Sequence, residues 1–347
     1  MTSSFLEHGF ELVPRPVRLR TNLFAIAFFL MKLVPAAFML RRAKEEGLID
    51  SPTVIIETSS GNFGMGLALE CHRLGMRFVL VTDPAVAPVW RRRLTDLGTT
   101  VSMVETTAGD GNVQNARLAR LEQEMRRHPN HYVPGQYNNL ANRLAYSSVA
   151  ERIADDIGHV DVLVAATGSG ASGCGTAGFL RVLNPDLRFI AVDTHNSVLF
   201  GQPNGPRSLR GLGNSKHPAN LDHTAVDDVH WVQGPVAFQA MRRLYREHRL
   251  YQGPTSGASF LVADDYARKH PDQIVVFLCP DHGERYPDLY DQEWLRRNGL
   301  HVPVTPADPH EVDSPLAASG DWDCFQWCRR PYGEVTGEPL IRPEVKA

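Results

Sequence analysis

From Thr53 onward the chain repeats one pattern: a short apolar run, a small or polar turn, then a stretch with apolar positions spaced three or four apart. The runs Thr53–Glu57, Arg77–Thr82, Thr100–Glu105, His131–Val133, Val160–Ala166, Leu187–Asp193, Val229–Val232 and Ile274–Leu278 read as strands. Helices are expected from near Gly61, over Val86–Leu97, Val113–Arg127 and Asn139–Ile157, and over about 173–183, 235–247 and 257–269. Strands that are apolar at nearly every position are buried on both faces, as in parallel sheets covered by helices. Two such series predict an α/β protein of two doubly wound lobes with parallel sheets. The expected divisions are an N-terminal part, 1–147, with an α/β lobe over about 50–147; a large lobe, 148–299; and a C-terminal extension, 300–347. The extension is rich in Pro and Asp, but its DWDCFQWCRRPYGE stretch carries aromatic residues that argue for packing. No chemical role for it follows from its residues.

Upstream of this alternation lies Leu23–Leu40, LFAIAFFLMKLVPAAFML, apolar except for Lys32. Leu23–Leu30 reads as a buried strand, Pro35 suits the first turn of a helix, and Gly47 suits its end. A membrane span is disfavoured by the short length, the central Lys and the Pro. A signal peptide is disfavoured by the late start and by the run continuing into RRAKEEG. The lysine could snorkel from a buried element. It could equally be a nucleophile, because desolvation lowers an ammonium pKa and frees the amine for Schiff-base chemistry. The chain has only five lysines, and the other four have polar or charged neighbours, so Lys32 stands apart.

Composition adds mainly exclusions. A net charge of −3 gives no nucleic-acid or anionic-membrane signature. Five scattered cysteines point to a reducing cytoplasm, and Cys324 and Cys328 lack a second Cys/His pair at metal-site spacing, so no metal is expected.

Three loops at strand ends could carry chemistry. Thr58-Ser59-Ser60-Gly61-Asn62-Phe63-Gly64 offers hydroxyls, an amide and helix N-terminal N–H groups to a carboxylate. Thr167-Gly168-Ser169-Gly170-Ala171-Ser172-Gly173 has the small residues that let backbone N–H groups close around a phosphate. It lacks the Lys-Ser/Thr ending of a nucleotide P-loop and matches a dinucleotide fingerprint poorly. Cys279-Pro280-Asp281-His282 ends the strand IVVFL and could face a heterocycle. Each loop alone could also be an ordinary turn.

Taken together, ETSSGNFG (57–64), GQYNN (135–139), TGSGASG (167–173), LRGLGN (209–214), GPTSGAS (253–259) and PDHGERY (280–286) resemble, in order, the motifs of the cysteine synthase and cystathionine β-synthase family. These are fold-type-II pyridoxal 5′-phosphate (PLP) enzymes, tryptophan synthase β-like, and the likeness spans about residues 12–290. The resemblance implies that Lys32 is the Schiff-base lysine and that Asn62 bonds the cofactor's phenolic oxygen. It implies that Ser59, Ser60, Gly61 and Gln136 hold the substrate carboxylate. Thr167, Gly168, Ser169, Gly170 and Ala171 would cradle the phosphate, and Asp281, with Cys279 as the alternative, would face the pyridine nitrogen. It further implies a mobile small lobe and a homodimer. The chain departs from the family at several points, among them Asp281 where Ser is usual at the pyridine nitrogen. FFLM replaces the usual Asn-Pro-x-x-Ser before the lysine, Phe63 stands where Thr is common, and Ser169-Gly170 replaces Gly-Thr.

The activity implied is β-replacement on an O-activated L-serine, O-acetyl or O-phospho. Lys32 moves the α-proton, the β-substituent departs, and a sulfur or amine nucleophile adds to the β-carbon. The alternatives are a serine/threonine dehydratase, a non-catalytic PLP-fold binding protein, and a dinucleotide-dependent oxidoreductase.

Overall fold

The computed structural model describes residues 14–59, 61–84, 86–105, 113–209, 211–301 and 306–342. Most of the expected N-terminal arm, together with Ser60 and Arg210, lies outside the described residues.

In chain order the elements are β1 (Arg15–Arg18), β2 (Leu23–Ala27), α1 (Leu33–Glu45), β3 (Val54–Thr58), α2 (Asn62–Leu74), β4 (Arg77–Thr82), α3 (Pro88–Asp96), β5 (Thr100–Met103), α4 (Val113–Arg127), β6 (His131–Tyr132), α5 (Ala141–Leu144), α6 (Ser147–Ile157), β7 (Val162–Ala166), α7 (Ala171–Leu183), β8 (Arg188–Asp193), β9 (Asp228–Val232), α8 (Gly234–His248), α9 (Pro254–Lys269), β10 (Val275–Cys279), α10 (Gln292–Arg297), β11 (His310–Glu311), β12 (Trp322–Gln326) and α11 (Tyr332–Thr336). Two compact units emerge. One joins the segment ending at Met31 to Tyr146–Ala347, and the other is Lys32–Ala145.

In the larger unit the described strands run β1-β2-β10-β7-β8-β9-β12-β11. From β2 through β9 the neighbours are parallel, and β1 and β12 add antiparallel edges. The central strands are apolar on both faces because helices cover both: on one, Val162, Val164, Ile190, Val275 and Phe277 meet Val236, Phe260 and Val262 of α8 and α9 in one core, and on the other α7 packs Gly173 against Ala165 and Phe189. In the smaller unit the order is β5-β4-β3-β6, all parallel.

Three local expectations change. The strand expected over Leu23–Leu30 ends at Ala27, because the next residues turn to the far end of β10: Phe28 N–H donates to Cys279 O (3.0 Å) and Met31 N–H to Pro280 O (2.8 Å). The helix expected over Asn139–Ile157 is two helices, α5 and α6, broken at Ala145–Tyr146. α5 packs on α1 in the smaller unit and α6 on α7 in the larger, so the break falls at the boundary between the units. The segment after residue 300 contributes β12, which extends the large sheet by pairing with β9, and it buries Trp322 and Trp327. Among the described residues no helix is long and apolar enough to cross a membrane.

Candidate active site

In the larger unit β2, β10 and β7 are consecutive parallel neighbours. The chain runs from β7 through β8 to β9 on one side and returns to β10 on the other, so the strand order reverses between β7 and β10. Ligands of open α/β sheets bind at such a reversal, beyond the carboxyl ends of the strands. Thr167–Ala171 follows β7 and Asp281 follows β10. Lys32 comes directly after Met31, on the segment that leaves β2 and bridges at Leu30 to Asp281.

The Thr167–Gly170 turn is walled by backbone. A Cβ on Gly168 would lie 3.0 Å from Gly211 O, and one on Gly170, whose φ is 78°, would lie 2.5 Å from Leu221 Cα. Only glycine combines that left-handed backbone with so close an approach. The turn is fastened from outside: Thr167 N–H donates to Val192 O (2.8 Å), Gly213 N–H to Thr167 O (2.8 Å) and Asn214 Nδ2 to Gly168 O (3.3 Å). Gly170 caps α7, whose first-turn N–H groups have no partner within the helix and leave a positive end there.

Asp281 is buried; its Oδ2 accepts a 2.6 Å bond from the Tyr286 hydroxyl and its backbone oxygen accepts from Gly253 N–H (2.9 Å). Burial first, and then the Asp281 charge, push the Tyr286 hydroxyl well above its ordinary pKa, so it stays a donor. Cys279 is also buried, and burial pushes its thiol up; Ser256 lies on the first turn of α9. Burial lowers the Lys32 ammonium from 10.5 to about 8. At pH 7 this leaves about 300-fold more free amine than an ordinary lysine has.

The smaller unit repeats the arrangement. Its strand order reverses between β3 and β6. Ser59, Gly61 and Asn62 follow β3, Gln136 follows β6, and Ser60 lies outside the described residues. Ser59 Oγ accepts from Gly61 N–H (3.2 Å), and Gly61 caps α2, which starts at Asn62. Gln136 O accepts from Asn142 Nδ2 (2.6 Å). A Cβ on Gly66, one turn into α2, would lie 2.8 Å from Lys32 O, so this glycine lets α2 approach the start of α1. Phe63 is 1% exposed and belongs to the core.

Glu57 ties the two loops of this unit together. It is buried; one carboxylate oxygen accepts from Thr58 N–H (2.8 Å) and the other from Gly135 N–H (2.8 Å). Burial raises its carboxyl to about 7, against the opposing pull of these backbone donors. Glu57→Ala leaves both donors without that acceptor and is expected to cost about 2–4 kcal/mol of stability, read by urea unfolding. Sequence reasoning missed Glu57 by counting it as a strand residue. The signal available was an acid closing an apolar run just before a Ser/Gly loop. Tyr286 and Ser256 were quoted within motifs without a role.

Site residues are thus brought together in two sets. Thr167–Ala171, Asp281 and the segment ending at Met31 share the reversal in one sheet, and Ser59, Gly61, Asn62 and Gln136 share the reversal in the other.

These features define an α/β class in which each sheet presents loops at its switch point, with a glycine turn at a helix N-terminus in one unit and a desolvated lysine at the start of the other. Residues 31–281 match the family described as pyridoxal-phosphate dependent enzyme, and the chain belongs to that family. It is similar to N-(2-amino-2-carboxyethyl)-L-glutamate synthase of Ralstonia nicotianae, 36% identical over 267 residues covering 76% of this chain and 79% of the relative. It is also similar to the synthase of the same name from Cupriavidus metallidurans, 33% identical over 292 residues covering 82% and 84%. Among solved structures, a hydrogen sulfide-producing enzyme of Fusobacterium nucleatum superposes with a TM-score of 0.75 at 28% identity, covering 82% of this chain and 99% of the other. The fold is the fold-type-II PLP fold, and the cofactor is PLP. The residues present suit that group: a turn whose two glycines are walled by backbone, a helix N-terminus for a phosphate, and a lysine held partly as free amine.

Proposed function

We propose that this protein joins an O-activated L-serine to an amine nucleophile by β-replacement, with L-glutamate as the amine. The observation that carries this reading is the desolvated Lys32, on the segment that follows β2, in a chain 36% identical to a relative named for that glutamate product. When bound, PLP supplies an electron sink for charge that develops at the substrate α-carbon.

The chain's own residues supply the rest. Lys32 Nζ would hold the cofactor and, as a partly deprotonated amine, would take the substrate α-proton and return a proton to the same carbon after the nucleophile has added. Thr167, Gly168, Ser169, Gly170 and Ala171 hold the phosphate. Asn62 would hydrogen-bond the cofactor ring, and Asp281, held by the Tyr286 hydroxyl, would be the partner of its pyridine nitrogen. Ser59, Ser60, Gly61 and Gln136 bind the substrate carboxylate, and Glu57 supports that set by joining the loops that carry it. The reading includes a mobile lobe over about 50–147, a homodimer and a cytoplasmic location. Light scattering on the eluting protein tests the dimer, with a mass of one chain as the contrary result.

The test of function is product analysis. The purified protein is incubated with O-acetyl- or O-phospho-L-serine together with L-glutamate or sulfide, and the products are read by mass spectrometry. N-(2-amino-2-carboxyethyl)-L-glutamate is the expected product. Pyruvate and ammonia at the same rate with and without nucleophile would identify a dehydratase instead.

A further inference from the structure

The family match ends at residue 281, yet residues beyond it reach back toward the phosphate turn. Between the two lies the loop after β8. Its Leu221 touches the turn, since a Cβ on Gly170 would meet Leu221 Cα at 2.5 Å and Leu221 N at 2.8 Å. Its Asp222 meets α7 through the Cys174 sulfur, which lies 3.4 Å from Asp222 N. The opposite side of the loop is covered by the C-terminal segment. Tyr332 packs its ring on His217 (4.7 Å between centroids) and His223 (5.1 Å), Trp327 packs on His223 (5.5 Å), and Arg342 Nη2 donates to Leu221 O (3.3 Å). His223 is held in turn by a 2.7 Å bond between its Nε2 and Leu199 O.

A second observation shows that this seating is enforced. Cys328 and Arg329 are consecutive non-glycine residues in the left-handed region, with φ of 56° and 57°. Such residues persist only where the surroundings over-determine them. Here Cys328 N–H donates to Asp227 O (2.8 Å), Arg329 N–H to Val226 O (2.7 Å), and the Arg329 guanidinium to the Asp227 carboxylate (2.7 Å). The chain is bent at this point so that the following residues lie on the 217–226 loop.

We infer that Trp327–Arg342 is a positioning element for the cofactor phosphate: it presses the 217–223 loop onto Gly170 and so sets the turn whose backbone N–H groups bind that phosphate. The inference rests on the proposed role of Thr167–Ala171. It assigns to the extension a role that the family's matched region does not contain.

The experiment compares PLP with pyridoxal, which has the same ring and aldehyde but no phosphate, binding to apo protein as followed by absorbance. The variants are Tyr332→Ala, Arg342→Ala and their combination, with Tyr332→Phe as the conservative control. Arg342 is exposed, so that variant folds in any case. The double variant is expected to bind PLP about tenfold or more weakly, with pyridoxal affinity unchanged and Tyr332→Phe close to wild type. Equal weakening of both ligands would mean a merely structural role, and unchanged PLP affinity would mean none; either overturns the inference. A wild-type protein that binds PLP no better than pyridoxal would instead remove the phosphate-turn assignment, and the inference with it.

Discussion

Lys32→Met is expected to lower β-replacement activity at least about 10³-fold, because on the proposed mechanism it removes both the covalent anchor and the base for the α-proton. The same substitution is expected to stabilise the apo protein at pH 7. In the folded chain the Lys32 ammonium has a pKa of about 8 against 10.5 for an ordinary lysine, and burial is the cause. Between those two values the unfolded chain binds more protons than the folded one, so apo stability rises with pH across that window. Below pH 8 the full penalty of desolvating the ammonium is present. Replacing it with a side chain of similar length and no charge relieves a cost of the order of 1–3 kcal/mol. Urea unfolding of the two apo proteins at pH 7 and pH 10 checks this: the variant's advantage should be clear at pH 7 and shrink at pH 10. A variant that is both inactive and less stable at pH 7 would mean that Lys32 is a satisfied structural residue.

Gly170→Ala is expected to be the most damaging single methyl addition in the Thr167–Gly170 turn, the proposed phosphate site. The new Cβ would sit 2.5 Å from Leu221 Cα, where backbone rather than a flexible side chain must yield, and the φ of 78° is unfavourable for any residue with a Cβ. Together these are expected to cost about 2–4 kcal/mol of stability and to weaken PLP binding about 100-fold. Gly178, further along α7, is the matched control. It is exposed, and a Cβ there meets nothing within 4 Å. Gly178→Ala should therefore leave PLP binding unchanged and add up to about 1 kcal/mol of helix stability. Titration of both apo variants with PLP, alongside urea unfolding, separates local crowding at the turn from a general intolerance of α7.

The strands were readable because their burial on both faces is written as unbroken apolar runs, such as VIIE before the Ser59 loop and VLVAA before the Thr167 turn. The loops were readable because close backbone approach selects Gly, Ser and Thr, as at Gly168 and Gly170. What was hidden depended on partners distant in sequence. The break at Ala145–Tyr146 carries no Gly or Pro, because it arises from α5 and α6 packing on different units. Glu57 looked like the last residue of a strand, since its second acceptor role, toward Gly135, becomes visible only when β3 and β6 are neighbours. The segment after residue 300 has weak periodicity because it is held by an antiparallel edge pairing and by aromatic contacts to His217 and His223.

The most direct test of the account is reduction of the PLP-loaded protein with borohydride, followed by digestion and peptide mass mapping. The account predicts a pyridoxyl phosphate group on the peptide that contains Lys32, and on no other. The same group found on a different lysine, or on none, would contradict it.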